Sequence, residues 1–251
     1  MSYIALMICL LFIYIATIFA MKYMKNVKLW NFVFGCIVFG CYISLMITIF
    51  KHTGFNDWNF KNTLPTANIS PFMFSLMPII LIIPKSIKKH FYLLIALLSV
   101  GMFLSTIFNC CYFANIGYKF HWHFMLDYIS HFALSAWGIY LIASNQIQLK
   151  KKSCLISACI IFAFITTMLI LNVIFDTAFC GLSLNGKHNI YNYVFVKNSY
   201  LSALIYYFGV VIVLLLGYVL QLFVQRKTKK SQLTNKNWDR NISIFLILKL
   251  L

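Results

Sequence analysis

Seven stretches of this sequence are too apolar and too long to share one water-surrounded core: residues 3–20, 29–50, 66–83, 91–110, 124–143, 154–175 and 200–224. A hydrocarbon layer about 30 Å thick is crossed by roughly 17–25 helical residues, and the runs have that length. Backbone facing lipid must satisfy its own hydrogen bonds, which a helix does and an open strand does not. No strand-like alternation competes with the helical reading. With 62% of the 251 residues hydrophobic and 10% charged, the chain reads as an all-α, polytopic membrane protein. It is expected to form a seven-transmembrane-helix bundle over residues 1–225, with a basic tail over 226–251.

The net charge of +17 first suggests a nucleic-acid partner, but the cations follow the runs rather than one face. Lys22, Lys25 and Lys28 lie between runs one and two, Lys85, Lys88 and Lys89 between three and four, and Lys150, Lys151 and Lys152 between five and six. Arg226, Lys227, Lys229, Lys230, Lys236, Arg240 and Lys249 follow run seven, so one side carries 16 of the 21 cations. The other side has Lys51, Lys61, Lys119, Lys187 and Lys197. By the positive-inside rule the N-terminus is outside and the C-terminus cytoplasmic, as seven spans require. The acids agree: there is no Glu, and Asp57, Asp127 and Asp176 fall at the outer ends, with only Asp239 in the tail. The charge therefore reads as orientation in a cell membrane and contact with anionic lipid. Membrane lipids are the expected partners and nucleic acid is not; the oligomeric state is left open.

Run one lacks a basic segment before it and has three lysines after it, the pattern of a retained span rather than a cleaved leader. The eight cysteines form no paired framework. Cys9, Cys36, Cys41, Cys154 and Cys159 read as small apolar fillers, whereas Cys110, Cys111 and Cys180 lie near the outer face, where a disulfide from Cys180 to Cys110 or Cys111 is left open.

Polar residues in the spans carry the chemical information, because ionisable groups at membrane depth are costly and normally face the bundle interior. In run five, His123, Asp127 and His131 recur at i, i+4 and i+8, which puts them along one helical face. Three readings of them stay open: a hydrogen-bonded pair fastening helices together, a general base at His131, and a metal site. The last is disfavoured because His123 and His131 are about 12 Å apart along the axis. Run three is flanked or interrupted by all four prolines, Pro65, Pro71, Pro78 and Pro84. Bending there is expected to expose carbonyls near Pro71 and Pro78, beside Asn68 and Ser70. Run six brings Asn172 and Asp176, also i, i+4 and also at the outer end. Run seven, aliphatic with Tyr200, Tyr206 and Tyr207 at its start, reads as interface belt and packing.

Three blocks resemble the YwaF family of bacterial integral membrane proteins, which is related to a eukaryotic family of transmembrane acyltransferases. They are Leu64-Pro65 followed by the polar turn Asn68 to Ser70, the pattern His121, Trp122, Phe124, Ile129-Ser130-His131, and Asn172 followed by an outer loop to Tyr193. The resemblance spans roughly residues 30–222 and implies a multi-pass fold and acyl transfer between phospholipids, with His131 as the matching histidine. It also implies a His and a Cys soon after the Leu-Pro. Here those positions read Thr66, Ala67, Asn68, Ile69 and Ser70, so a cysteine thioester does not carry over and Ser70 is the available oxygen nucleophile.

Taken together, the sequence predicts a lipid-handling, acyltransferase-like protein with an outer-leaflet cavity lined by Asn68, Ser70, Asp127, His131, Asn172 and Asp176. Histidine acts as base, and Asn or Ser donates to the oxyanion. A small-solute transporter using His131, Asp127 and Asp176, and a non-catalytic scaffold, are the alternatives. No cofactor and no metal is expected.

Overall fold

The computed structural model describes residues 3–54, 64, 68–115, 123–147, 150–175, 179–181 and 199–234. Their order is α1 (Tyr3–Ala20), a 3-10 turn (Met21–Tyr23), α2 (Val27–Thr53), α3 (Ile69–Ser75), α4 (Met77–Ile82), α5 (Lys85–Asn115), α6 (His123–Ala143), α7 (Lys151–Phe175), a second 3-10 turn (Phe179–Gly181) and α8 (Ser199–Thr234). Each apolar run is helical where it is described, run three with a break at Leu76 and non-helical ends at Asn68 and Ile83, and no strand occurs among the described residues. Asp57, Pro65, His121, Asp176 and the tail beyond residue 234 lie outside the described residues, as does the side chain of His123.

Five of these helices, α1, α2, α5, α7 and α8, are long and apolar enough to cross a membrane. Their outer surfaces expose large apolar side chains, among them Phe12 and Ile13 on α1, Val173 to Phe175 on α7, and Phe208, Ile212 and Val219 on α8. Such faces are at home in hydrocarbon and not in water. The chain is therefore a multi-pass membrane protein in its fold.

The helix at the centre is the least lipid-like. None of the residues from Phe124 to Ala143 on α6 is exposed, because α1, α2, α5 and α8 all pack around it. A helix enclosed by protein is free to carry Asp127, Ser130, His131 and Ser135, which a lipid-facing helix is not. Its contacts are polar as well as apolar. Tyr14 of α1 bonds Ser135 at 2.8 Å, Trp137 Nε1 donates to Asn31 Oδ1 of α2 at 2.9 Å, and Tyr140 Oη donates to the Met24 carbonyl at 2.9 Å. Close approach of the backbones is secured by glycine. A Cβ at Gly138 would meet the Ser99 side chain and Ile95 carbonyl of α5, and one at Gly217 of α8 would collide with the Leu97 carbonyl.

Run three is broken rather than bent. Asn68 caps α3, its Oδ1 accepting from the Ile69 amide at 2.8 Å. Pro71 falls in the first turn of α3, where its missing N–H interrupts no intrahelical bond; the expected opening of the helix at Pro71 is thereby corrected. Pro78 enters at the start of α4 and has no amide to offer the Phe74 carbonyl, so the helix divides at Leu76. Before Pro84, Ile83 is extended at ψ 158°, as a pre-proline residue prefers, and the Pro84 carbonyl then accepts from Ile87 and Lys88 to start α5. Both short helices pack on α2. The division leaves Ser70, at the start of α3, facing α6.

Candidate functional site

His131 and Ser70, 61 positions apart in sequence, meet at 2.9 Å between Nε2 and Oγ. The other ring nitrogen, Nδ1, lies 2.8 Å from the Asp127 carbonyl oxygen and 3.4 Å from Asp127 Oδ1. A carbonyl only accepts, so Nδ1 of the neutral ring carries the proton and donates. Nε2 is then a bare lone pair, and the Ser70 hydroxyl donates to it. Sequence spacing places Asp127 one turn before His131, and the helix alone brings the two together; only the tertiary fold brings Ser70.

The surroundings hold this geometry. His131 is 6% exposed, and the Phe74 ring meets the imidazole edge to face at 5.1 Å between centroids. Ser70 Oγ has a second neighbour, Met102 Sδ of α5, at 3.5 Å. One hydroxyl proton cannot serve both contacts, and neutral Nε2 is the better acceptor and the nearer one. Were the ring protonated, Nε2 would donate to Oγ and the hydroxyl proton would turn to Met102. Asp127 keeps 29% of its side chain exposed, so its carboxylate reaches past the ring toward solvent or headgroups. A hydroxyl, an imidazole nitrogen and a group that orients the ring thus stand in the same order as the nucleophile, base and orienting group of acyl-transfer chemistry, although the nearest acceptor for Nδ1 is a backbone oxygen.

Asn68 and Asn172 occupy two further parts of this region. Asn68 Oδ1 accepts from Tyr206 Oη of α8 at 3.1 Å as well as from the Ile69 amide. Asn172 is buried and clamps the turn that follows α7: its Oδ1 accepts from the Phe179 amide at 2.6 Å and its Nδ2 donates to the Phe179 carbonyl at 2.9 Å. That turn carries Cys180 in the left-handed region, φ 59°, with its buried thiol hydrogen-bonded to Tyr206. Burial pushes the Cys180 thiol up to about 12, so it stays protonated at neutral pH. Asn172 is thereby joined to Asn68 through Cys180 and Tyr206, and not directly to His131.

Tyr206, which from sequence reads as interface belt and packing, and Met102, which no sequence signal marks, are the residues that sequence reasoning passes over; Cys180 stands out in sequence only for its place near the outer face. Cys110, Cys111 and Cys180 are all free thiols, and Cys110 donates to the Tyr3 carbonyl at 3.0 Å. Among the described residues no three His, Cys, Asp or Glu side chains gather closely enough to hold a metal ion.

No protein-family model matches this chain, and neither a curated protein nor a solved structure matches it.

Proposed function

We propose that the chain is a seven-span membrane protein of the YwaF type, N-terminus outside, that transfers acyl groups between lipids at the outer leaflet with Ser70 as nucleophile and His131 as base. The observation that carries this reading is the 2.9 Å contact of Ser70 Oγ with His131 Nε2, on a ring whose tautomer is set by the Asp127 carbonyl. In the first step Ser70 Oγ attacks an ester carbonyl of a lipid while its proton passes to Nε2. The tetrahedral adduct collapses, the lipid alkoxide leaves with the Nε2 proton, and the acyl group stays as an ester on Ser70. In the second step an acceptor alcohol gives its proton to Nε2 and attacks that ester, and the proton returns to Ser70 Oγ as it leaves. Asp127 faces the imidazolium formed in both steps and stabilises it.

The test is labelling of the detergent-purified protein with a fluorophosphonate probe, followed by peptide mass spectrometry. The expected result is one modification at Ser70, absent in Ser70→Ala and slowed about 10²–10⁴-fold in His131→Gln. Labelling should also slow on acidification, because a protonated Nε2 accepts nothing. Failure of the folded wild-type protein to react at Ser70 would overturn the reading and leave the Ser70–His131 contact as a helix fastening. Lipid profiles of cells carrying wild type and His131→Ala then identify the acyl chains moved.

A further inference from the structure

Two donors converge on one oxygen at Asn68. Ile69 N–H at 2.8 Å and Tyr206 O–H at 3.1 Å both point at Oδ1, so the side-chain amide is fixed with its oxygen inward. Nδ2 is left on the opposite side, and no described residue accepts from it. Asn68 is exposed, two residues before Ser70 at the start of the same short helix. An amide N–H that is fixed in direction, unspent within the protein and next to a nucleophile is what stabilisation of a developing oxyanion asks for. The same amide rotated by half a turn offers an oxygen there and repels the oxyanion instead.

Tyr206 shares with the Ile69 amide the choice between those two rotamers. Its hydroxyl has one proton, and giving it to Asn68 Oδ1 leaves its oxygen to accept from the Cys180 thiol. The thiol stands in a turn that Asn172 grips at both the amide and the carbonyl of Phe179. A fixed line therefore runs from the end of α7, through the 179–181 turn and the start of α8, to the first residue before α3.

We propose that Tyr206 is a positioning residue that holds Asn68 with Nδ2 aimed at the oxyanion formed when Ser70 attacks an acyl carbonyl. The inference rests on the acyl-transfer reading and adds to it a donor and the group that orients it. Tyr206 touches neither substrate nor nucleophile; it acts through Asn68.

The experiment follows turnover of a p-nitrophenyl ester of a medium-chain fatty acid by the full-length protein in detergent, alongside the fluorophosphonate reaction at Ser70. Tyr206→Phe keeps the ring and loses only the hydroxyl. It is expected to lower kcat about tenfold with KM unchanged, and Asn68→Ala to lower kcat about a hundredfold. Tyr206→Phe added to Asn68→Ala should cost nothing further, since the tyrosine has nothing left to orient. Asn68→Asp retains the oxygen that Tyr206 and Ile69 bind but puts a carboxylate oxygen where the donor stood, so it should fold normally and react more slowly than Asn68→Ala. Wild-type turnover in Tyr206→Phe, or a loss that adds in full to that of Asn68→Ala, would overturn the inference while the reactive Ser70 still stands. If wild type itself reacts with neither ester nor fluorophosphonate, it is the acyl-transfer reading that falls.

Discussion

His131 is oriented more by a backbone oxygen than by the carboxylate beside it, since the Asp127 carbonyl is nearer to Nδ1 than Oδ1 is, 2.8 Å against 3.4 Å. The two partners therefore have separable roles. The carbonyl sets the tautomer in the resting protein; the carboxylate matters when the ring becomes positive, as it does in the proposed acyl transfer. Asp127→Asn leaves the carbonyl in place, so the ring should keep its direction and the melting temperature should change little. The rate of Ser70 labelling should fall about tenfold, corresponding to about 1.4 kcal/mol in the barrier, far less than in His131→Gln. A collapse of melting temperature in Asp127→Asn would instead mark Asp127 as structural. At this scale the sequence was informative in one direction only. The i, i+4 spacing of Asp127 and His131 is local and could be read directly, whereas Ser70 meets His131 through a fold that divides run three at Leu76. Tyr206 was obscured for another reason: a tyrosine at the start of an aliphatic span has the same signature whether it sits among headgroups or points inward.

On α8 the inward face is written as a spacing of three to four residues, with Ala203, Tyr206, Val210, Leu214, Gly217 and Gln221 all buried. Tyr206 and Gln221 are the polar members of that stripe, and reading the stripe against the aliphatic outer face would have separated Tyr206 from its neighbour Tyr207. Tyr207 lies between α8 and α7, bonded to Thr166 at 3.1 Å and stacked on Phe162 at 6.1 Å. Gln221 differs from Tyr206 in having no partner for either Nε2 or Oε1 among the described residues, at 1% exposure. Burying an unsatisfied amide is destabilising, and an apolar residue of similar volume removes that cost. Gln221→Leu should therefore raise stability by about 1–3 kcal/mol, read as a higher melting temperature in detergent, with Ser70 labelling unaffected. A lower melting temperature would mean that the amide is satisfied by water, lipid or a residue beyond the described ones. The helices themselves were legible in the sequence because an apolar run of spanning length has few alternatives to a helix. The division at Leu76 was less so, because of the two prolines in run three only Pro78 falls where an intrahelical bond is due.

For the whole molecule, length and hydropathy single out five helices, whereas the distribution of charge argues for seven crossings. The difference lies in α3–α4 and α6. Together α3 and α4 run from Ile69 to Ile82, short for a full span, and α6 is polar because protein encloses it. Neither property decides whether a segment crosses, since enclosure relieves a helix of the need to be apolar. Charge does discriminate. If α3–α4 and α6 both cross, Lys85, Lys88 and Lys89 join the other lysine loops on the cytoplasmic side. If neither crosses, those three lysines move to the outside and Lys119 moves in, against the bias that orients membrane proteins. The segment next to Pro84 is therefore the informative place to look. An epitope inserted after Pro84 in the full-length protein should be protected in intact cells and reached by antibody only after the membrane is opened, like one at the C-terminus. An epitope inserted after Gly54 should be accessible from outside. Exposure of the Pro84 epitope on intact cells would reduce the count to five and remove the orientation on which an outer-leaflet site at Ser70 and His131 depends.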